Sequence, residues 1–266
     1  MRPQRISPVW WVLALRRWLR GHAPEGEPRL IHRDPDSAIV WLPGRSDRLV
    51  VVFLGIQGKR LRPNRLEFSD IAWDQGRNNV LFVTDRHRSW YSRPDQRERI
   101  AKVIRRFAAA KGFNTLWSMG GSMGGYGAIL FAGLLPISQV VAFVPQVLMT
   151  EEVICRPVWA INRPNITDAV VRDLVPVIAG TKARINILYG DRDEDDLIHF
   201  GHLRRTLPAS ELVRIVIAPG QTHKVAPWLK AQGQLGRVVA ALWAGDRREL
   251  EDCSKALERP LDLALA

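Results

Sequence analysis

Residues 115–135 read TLWSMGGSMGGYGAILFAGLL. The run from Thr115 to Met119 is a strand candidate, and residues 126–134 predict an apolar helix. Between them stands Ser122, among glycines that let a strand and a helix approach each other closely. These glycines are Gly120, Gly121, Gly124 and Gly125. The stretch therefore predicts a strand, a sharp turn that carries Ser122, and a helix packed back on the strand.

Apolar runs alternate with helical stretches on either side of this turn. Residues 94–110 have helical periodicity, and a helix is predicted from Val225 to about Trp243. The other strand candidates are Ala38–Leu42, Leu49–Leu54, Asn79–Thr84, Val140–Phe143, Ile185–Tyr189 and Leu212–Ile217. This alternation predicts an α/β fold with a mostly parallel central sheet and helices on both faces. Functional residues should then gather at the carboxyl ends of the strands.

Three segments are expected along the chain. Residues 1–36 form a basic N-terminal helix and a linker rich in Pro, Gly and charge. Residues 37–245 form the α/β domain, with a small helical lid insertion at about 146–180. Residues 246–266 form a C-terminal helical tail.

The charge and cysteine content limit the partners and the compartment. Lys and Arg number 39 against 27 Asp and Glu, so the formal net charge is +12. Such a surface favours anionic partners, although it is also typical of a solvated Arg-rich surface. No nucleic-acid-binding motif is present, so no nucleic acid is expected. The two cysteines, Cys155 and Cys253, are far apart, which predicts neither a disulfide framework nor a metal site and fits a cytoplasmic protein.

An apolar run, Val9–Leu15, lies near the N-terminus between arginines. It is too short to span a bilayer, and no signal-peptide cleavage site follows it. One interpretation is peripheral association of residues 1–20 with the inner membrane surface as a basic amphipathic helix. The other is a helix docked on the protein itself.

The spacing G-x-S-x-G at residues 120–124 indicates a nucleophilic serine on a strained turn between a strand and a helix. A phosphate-binding loop of the P-loop type would need a lysine there, and none is present. A nucleophilic serine needs a base that is itself held by a carboxylate, and the expected order is serine, acid, histidine. His223 follows the last predicted strand and is the predicted base.

The predicted acid follows the strand that ends at Tyr189. Asp193, three residues after Gly190, is the favoured position, and Asp191 is the alternative. Asp195 and Asp196 are expected to serve the N-terminus of the helix that begins there.

The segment from Ala38 to Trp243 resembles the α/β-hydrolase superfamily. The matching pieces are Phe53-Leu54-Gly55, Gly120–Gly124, Gly190–Asp193 and His223. The resemblance implies that Ser122 is the nucleophile, Asp193 the acid and His223 the base. It also implies an oxyanion hole made by the backbone N–H groups of Met123 and Ile56. Many members carry His-Gly where this chain has Leu54-Gly55.

The expected function is hydrolysis of a carboxylic ester or thioester through an acyl-enzyme, with no metal and no cofactor. Acyl transfer to a sugar or polysaccharide hydroxyl is the alternative, and a non-catalytic binding protein on the same fold is another. The substrate would be a small-molecule or polysaccharide ester.

The loop DRHRSWY at residues 85–91 follows a strand and should border the mouth of the site. Trp90 and Tyr91 are predicted to stack on the substrate; the alternative is a packed loop that uses aromatic area for stability. Asp85 with Trp90-Tyr91, residues 121–126, and Pro145-Gln146 also resemble a group of bacterial hydrolase-like proteins, some of them linked to surface polysaccharide.

Overall fold

The computed structural model of the protein describes residues 27–56 and 66–265, and these contain one nine-stranded sheet. The predicted membrane-associating segment, residues 1–20, lies outside the described residues. The strands are β1 (Arg29–Arg33), β2 (Ser37–Leu42), β3 (Arg48–Phe53), β4 (Asn79–Asp85), β5 (Thr115–Gly121), β6 (Ile137–Phe143), β7 (Arg184–Gly190), β8 (Val213–Ala218) and β9 (Asp262–Leu265).

The strand order is β1-β2-β4-β3-β5-β6-β7-β8-β9. The six strands from β4 to β8 in this order pair in parallel, whereas β1, β2 and β9 pair antiparallel at the two ends. Residues 49–53 are fully buried, as expected for an apolar strand covered on both faces. The predicted mostly parallel sheet with helices is therefore confirmed.

Helices connect the parallel strands and cover the sheet. They are α1 (Ser69–Trp73), α2 (Pro94–Lys111), α3 (Met123–Ala132), α4 (Glu151–Ile154), α5 (Val175–Gly180), α6 (Glu194–Thr206), α7 (Val225–Ala231), α8 (Leu235–Ala244) and α9 (Arg247–Lys255). Every residue of α3 is buried, and this helix packs on β3, β5 and β6. In the described part of the chain, no helix is long and apolar enough to cross a membrane.

Three elements differ from the sequence prediction. Residues 29–33 form an edge strand, although they were expected to lie in a linker. The single helix predicted from residue 225 to 243 is two helices, because Gly233 adopts a φ of 68° between them. Within the expected helical tail, residues 247–255 form α9, whereas its end pairs with β8 as β9.

Residues 146–180, predicted as a lid, contain α4, α5 and two 3₁₀ turns, Pro157–Trp159 and Arg163–Asn165. This segment packs against the loop that follows β4. Thr167 N–H donates to Ser92 Oγ at 3.0 Å, and Arg97 donates to the Ala169 carbonyl at 3.1 Å. The segment therefore braces the 85–97 region at the carboxyl edge of the sheet.

Candidate active site

Ser122 occupies the turn between β5 and α3, as the sequence predicts. Its φ of 56° and ψ of −123° are unusual for a non-glycine residue and strain the backbone. The Ser122 N–H donates to the Phe143 carbonyl at 2.8 Å, and its own carbonyl accepts from Tyr126 N–H at 3.0 Å. Two hydrogen bonds thus hold the strained residue at the carboxyl end of the sheet.

Glycines are required around Ser122 because backbones meet there. A Cβ on Gly124 would lie 2.1 Å from the Phe53 carbonyl oxygen, and a Cβ on Gly120 would lie 2.4 Å from the Gly124 carbonyl carbon. The first turn of α3 therefore packs directly on the end of β3. This places the N–H groups of the first turn of α3, which begins at Met123, beside Ser122.

His223 lies in the loop between β8 and α7, and its Nδ1 is 2.7 Å from Oδ1 of Asp196. The Asp196 side chain is 2% exposed. A buried carboxylate at this distance fixes the orientation of the imidazole. Nε2 is then the ring nitrogen that does not contact Asp196.

Asp193, the predicted acid, does not contact His223; the contacting carboxylate is Asp196. Asp193 is the N-cap of α6, and its Oδ1 accepts the N–H groups of Asp195 and Asp196, each at 3.1 Å. Asp191, the alternative, accepts the Gly220 N–H at 2.6 Å. The physical reason is the start of α6 at Glu194, which makes Asp193 the cap and turns Asp196 inward. The contacts expected of Asp193 and Asp196 are therefore exchanged: Asp193 caps the helix and Asp196 contacts His223.

The electrostatics of the pair favour a charged histidine. Burial lowers the pKa of His223, but the hydrogen bond to Asp196 and the charges of Asp196, Asp193 and Asp195 outweigh it, so the pKa is raised above 6.5. Burial also raises the pKa of Asp196, against the opposing effect of His223. The carboxylate of Asp196 therefore stabilises the protonated form of His223.

Ser122 and His223 line one cavity of about 830 Å³. Ile56, a predicted oxyanion donor, lines it too. The apolar side chains of the lining include Leu66, Phe68, Ile71, Phe143 and Leu235; the charged ones are Glu67, Asp70 and Lys230. The neighbouring Gly55 N–H donates to Glu67 at 3.0 Å, so it does not face the cavity as a free donor. The structure thus brings Ser122, His223, Ile56 and the start of α3 together.

Trp90 and Tyr91 do not line this cavity. They are 2% and 0% exposed, and the Trp90 ring packs on Trp159 with centroids 4.7 Å apart. Tyr91 packs edge-on against Phe53. The prediction that they bind substrate is therefore corrected to the alternative, a packed loop.

Asp85 explains why this loop is buried. Its Oδ2 accepts the N–H of Ser89 at 2.7 Å and the N–H of Tyr91 at 3.1 Å, and its Oδ1 accepts from Gln96 at 3.1 Å. The carboxylate gathers backbone N–H groups that would otherwise be buried without partners.

One residue beside Ser122 was given no role by the sequence. Gln146 Nε2 donates to Ser122 Oγ at 3.0 Å. Gln146 follows β6, the strand next to the one that carries the serine. A polar residue at that point of a parallel sheet is the signal that could have identified it.

No group of three or more His, Cys, Asp or Glu side chains in residues 27–56 and 66–265 is arranged to hold a metal ion. The chemistry available at the site is that of a serine, a histidine paired with a carboxylate, and amide donors.

No family model and no curated protein matches the chain. Solved structures do match. The fluorophosphonate-binding serine hydrolase F of Staphylococcus aureus superposes with a TM-score of 0.59 at 14% identity, covering 81% of this chain and 96% of that one. A bacterial membrane phospholipase A superposes with a TM-score of 0.55 at 21% identity, covering 91% and 93%. The capsule O-acetyltransferase of Neisseria meningitidis serogroup A, in complex with CoA, gives 0.53 at 13% identity, covering 77% and 93%.

These likenesses show that the chain has the α/β-hydrolase fold, as the sequence resemblance implies. The fold hosts many reactions, so the activity has to be argued from the site itself.

Proposed function

We propose that the protein is a serine hydrolase that cleaves a carboxylic ester or thioester through an acyl-enzyme on Ser122. The observation that carries this proposal is the Asp196–His223 pair, which opens into the same cavity as a serine held on a strained strand-to-helix turn. A serine is a weak nucleophile, and a base oriented by a carboxylate is the arrangement that activates it.

In the proposed reaction Ser122 Oγ attacks the carbonyl carbon while its proton passes to Nε2 of His223. The carbonyl electron pair moves onto oxygen, and the N–H groups of Met123 and Ile56 stabilise this oxyanion. The intermediate collapses, and the alcohol or thiol leaves with the proton from His223. Water then attacks the acyl-enzyme by the same steps and releases the acid.

The cavity supports an ester with an apolar acyl group. Its volume of about 830 Å³ is that of a small-molecule site. The apolar side chains of the lining would hold an acyl chain, whereas Lys230, which is exposed, stands where a polar leaving group would meet solvent.

The test is labelling with a fluorophosphonate, followed by turnover of p-nitrophenyl esters of increasing chain length. We expect the wild type to be labelled and Ser122→Ala to be unlabelled and inactive beyond a residual roughly 10³–10⁴ over water. Ser138→Ala is the matched control, because Ser138 is exposed on β6 and its hydroxyl donates to the Leu116 carbonyl, away from the cavity lining. Labelling that persists in Ser122→Ala would show that the nucleophile lies elsewhere.

Acyl transfer is the second candidate function. A sugar or polysaccharide hydroxyl can attack the same acyl-enzyme in place of water. The fold likeness to a capsule O-acetyltransferase supports this candidate. Incubation with an acyl thioester and sugar acceptors separates the two reactions, because transfer gives an acylated sugar and hydrolysis gives only the acid. A wild-type protein that is neither labelled nor active would instead be a binding protein.

A further inference from the structure

Ser122 Oγ is in contact with a buried amide. Gln146 is 8% exposed, and its Nε2 lies 3.0 Å from Ser122 Oγ. The other end of the same amide is also engaged, because Trp90 Nε1 donates to Gln146 Oε1 at 3.2 Å. An unbroken chain of hydrogen bonds therefore runs from a buried tryptophan to the serine oxygen.

Donor and acceptor chemistry gives this chain a direction. An indole N–H can only donate, so the oxygen of the Gln146 amide has to face Trp90. The NH₂ end, which can only donate, is thereby turned to Ser122. The serine oxygen accepts from Gln146, and its own proton must point elsewhere, which leaves it free for His223.

The reverse amide orientation would be unproductive. The Gln146 oxygen would then face Ser122 and accept a hydrogen bond from its hydroxyl, in competition with His223. Without the indole N–H, nothing among the described contacts of Gln146 prevents this flip.

We propose that Gln146 is a catalytic residue that orients the Ser122 hydroxyl, and that Trp90 is the positioning residue that locks the Gln146 amide in its donating orientation. This inference rests on the proposed function. While the serine proton passes to His223, negative charge develops transiently on Oγ, and it moves to the carbonyl oxygen once the Oγ–carbon bond forms. The N–H of Gln146 stabilises that charge, and it needs no rearrangement to do so.

The backbone around both residues is built to hold them still. Trp90 and Tyr91 have φ values of 53° and 52°, and Asp85 stabilises this strained loop through the Tyr91 N–H. On the other side, the Tyr189 hydroxyl donates to the Pro145 carbonyl at 2.6 Å, directly before Gln146. Backbone strain of this kind persists only where the surroundings fix it, and here it sets the position of one indole N–H.

The experiment measures kcat, KM and melting temperature for four single variants, one of them a control, and one double variant. Trp90→Phe keeps an aromatic ring on Trp159 but removes the N–H and part of the buried ring. We expect kcat to fall about tenfold with KM near wild type, and the melting temperature to fall as it does in Trp243→Phe, which loses the same atoms. Gln146→Ala should lower kcat by about 10². The double variant should be no slower than Gln146→Ala alone, because Trp90 acts only through Gln146.

Gln146→Glu separates a chemical role from a structural one. Glutamate keeps the size of the side chain and an oxygen for Trp90, but it places an acceptor against Ser122. We expect kcat to fall at least as far as in Gln146→Ala, whereas a merely structural role would be rescued by this isostere. Trp243→Phe is the matched control, because the Trp243 indole N–H is buried without a hydrogen-bond partner in the described structure.

The proposal is overturned if Trp90→Phe has the kcat of wild type, if the losses in kcat multiply in the double variant, or if Gln146→Glu restores turnover. These outcomes are distinct from failure of the proposed function, in which the wild type itself is neither labelled by fluorophosphonate nor active on esters.

Discussion

Asp196 Oδ1 lies 2.7 Å from Nδ1 of His223, and the two side chains differ sharply in exposure, 2% against 37%. The carboxylate is therefore in the interior, while the imidazole reaches from it into the cavity that Ser122 lines. In this arrangement the protein interior fixes the tautomer and tilt of a ring whose other nitrogen is free for chemistry.

The first prediction compares the two aspartates around the start of α6. Asp196→Asn should lower turnover by about 10⁴, because an amide at this position favours the wrong histidine tautomer. Asp193→Asn should keep nearly full turnover, because asparagine caps a helix as well as aspartate does. Steady-state rates with one ester decide between them. A larger loss in Asp193→Asn would return the role of acid to Asp193.

Local sequence patterns predict the sheet but not which of these two carboxylates contacts His223. The sheet and the serine turn follow from local patterns, such as the apolar run of β3 and the glycines around Ser122. The acid depends on where α6 begins, and a change of a few residues in that start changes which carboxylate turns inward. Four acidic residues in a row give no local signal for that start.

Two other features that the sequence did not predict depend on tertiary contacts. β1 has the exposure of an edge strand and lacks a clear apolar alternation, so its pairing with β2 could not be predicted from residues 29–33 alone. The contact between Gln146 and Trp90 joins residues 56 positions apart. No pattern within either segment reports it.

The second prediction concerns pH. Because the pKa of His223 is raised above 6.5, the protonated form, which cannot accept the Ser122 proton, persists to higher pH. We expect kcat/KM to rise with pH through an apparent pKa above the ordinary histidine value. Asp195→Asn removes one of the charges that raise this pKa, so the rising limb should move to lower pH. Asp252→Asn, which alters a remote exposed pair with Lys255, should leave the profile in place. An unmoved limb in Asp195→Asn would contradict the electrostatic origin of the shift.

The third prediction concerns acid stability at the edge of the sheet. Burial raises the pKa of Asp34, but hydrogen bonds from Ser37 N–H, His32 and Asp36 N–H outweigh it and lower the pKa from 3.8 to about 2. A lowered pKa means that the carboxylate stabilises the fold above pH 3.8 and that this contribution is lost as pH falls towards 2. After allowance for its partial exposure, the contribution is about 1–2 kcal/mol. The free energy of unfolding of Asp34→Asn should therefore lie below wild type at neutral pH and approach it in acid. A difference that stays constant with pH would contradict this account.

The fourth prediction tests the close packing that presents Ser122. In Gly124→Ala the new Cβ would lie 2.1 Å from the Phe53 carbonyl oxygen and 3.0 Å from the Gly55 nitrogen. Both contacts are with backbone, so α3 and the end of β3 have to move apart. Overpacking of this kind costs about 1–3 kcal/mol, and we expect the upper end because no side chain can yield. The movement should also displace Ile56 and Ser122 relative to each other and lower kcat.

Gly236→Ala is the matched control. Gly236 lies in α8 with nothing within 4 Å of its Cβ, and alanine there should stabilise the helix by about 0.5–1 kcal/mol. Urea unfolding and ester turnover measure both effects. If Gly124→Ala were as stable and as active as wild type, the contact between α3 and β3 would not be what holds Ser122 in its strained position.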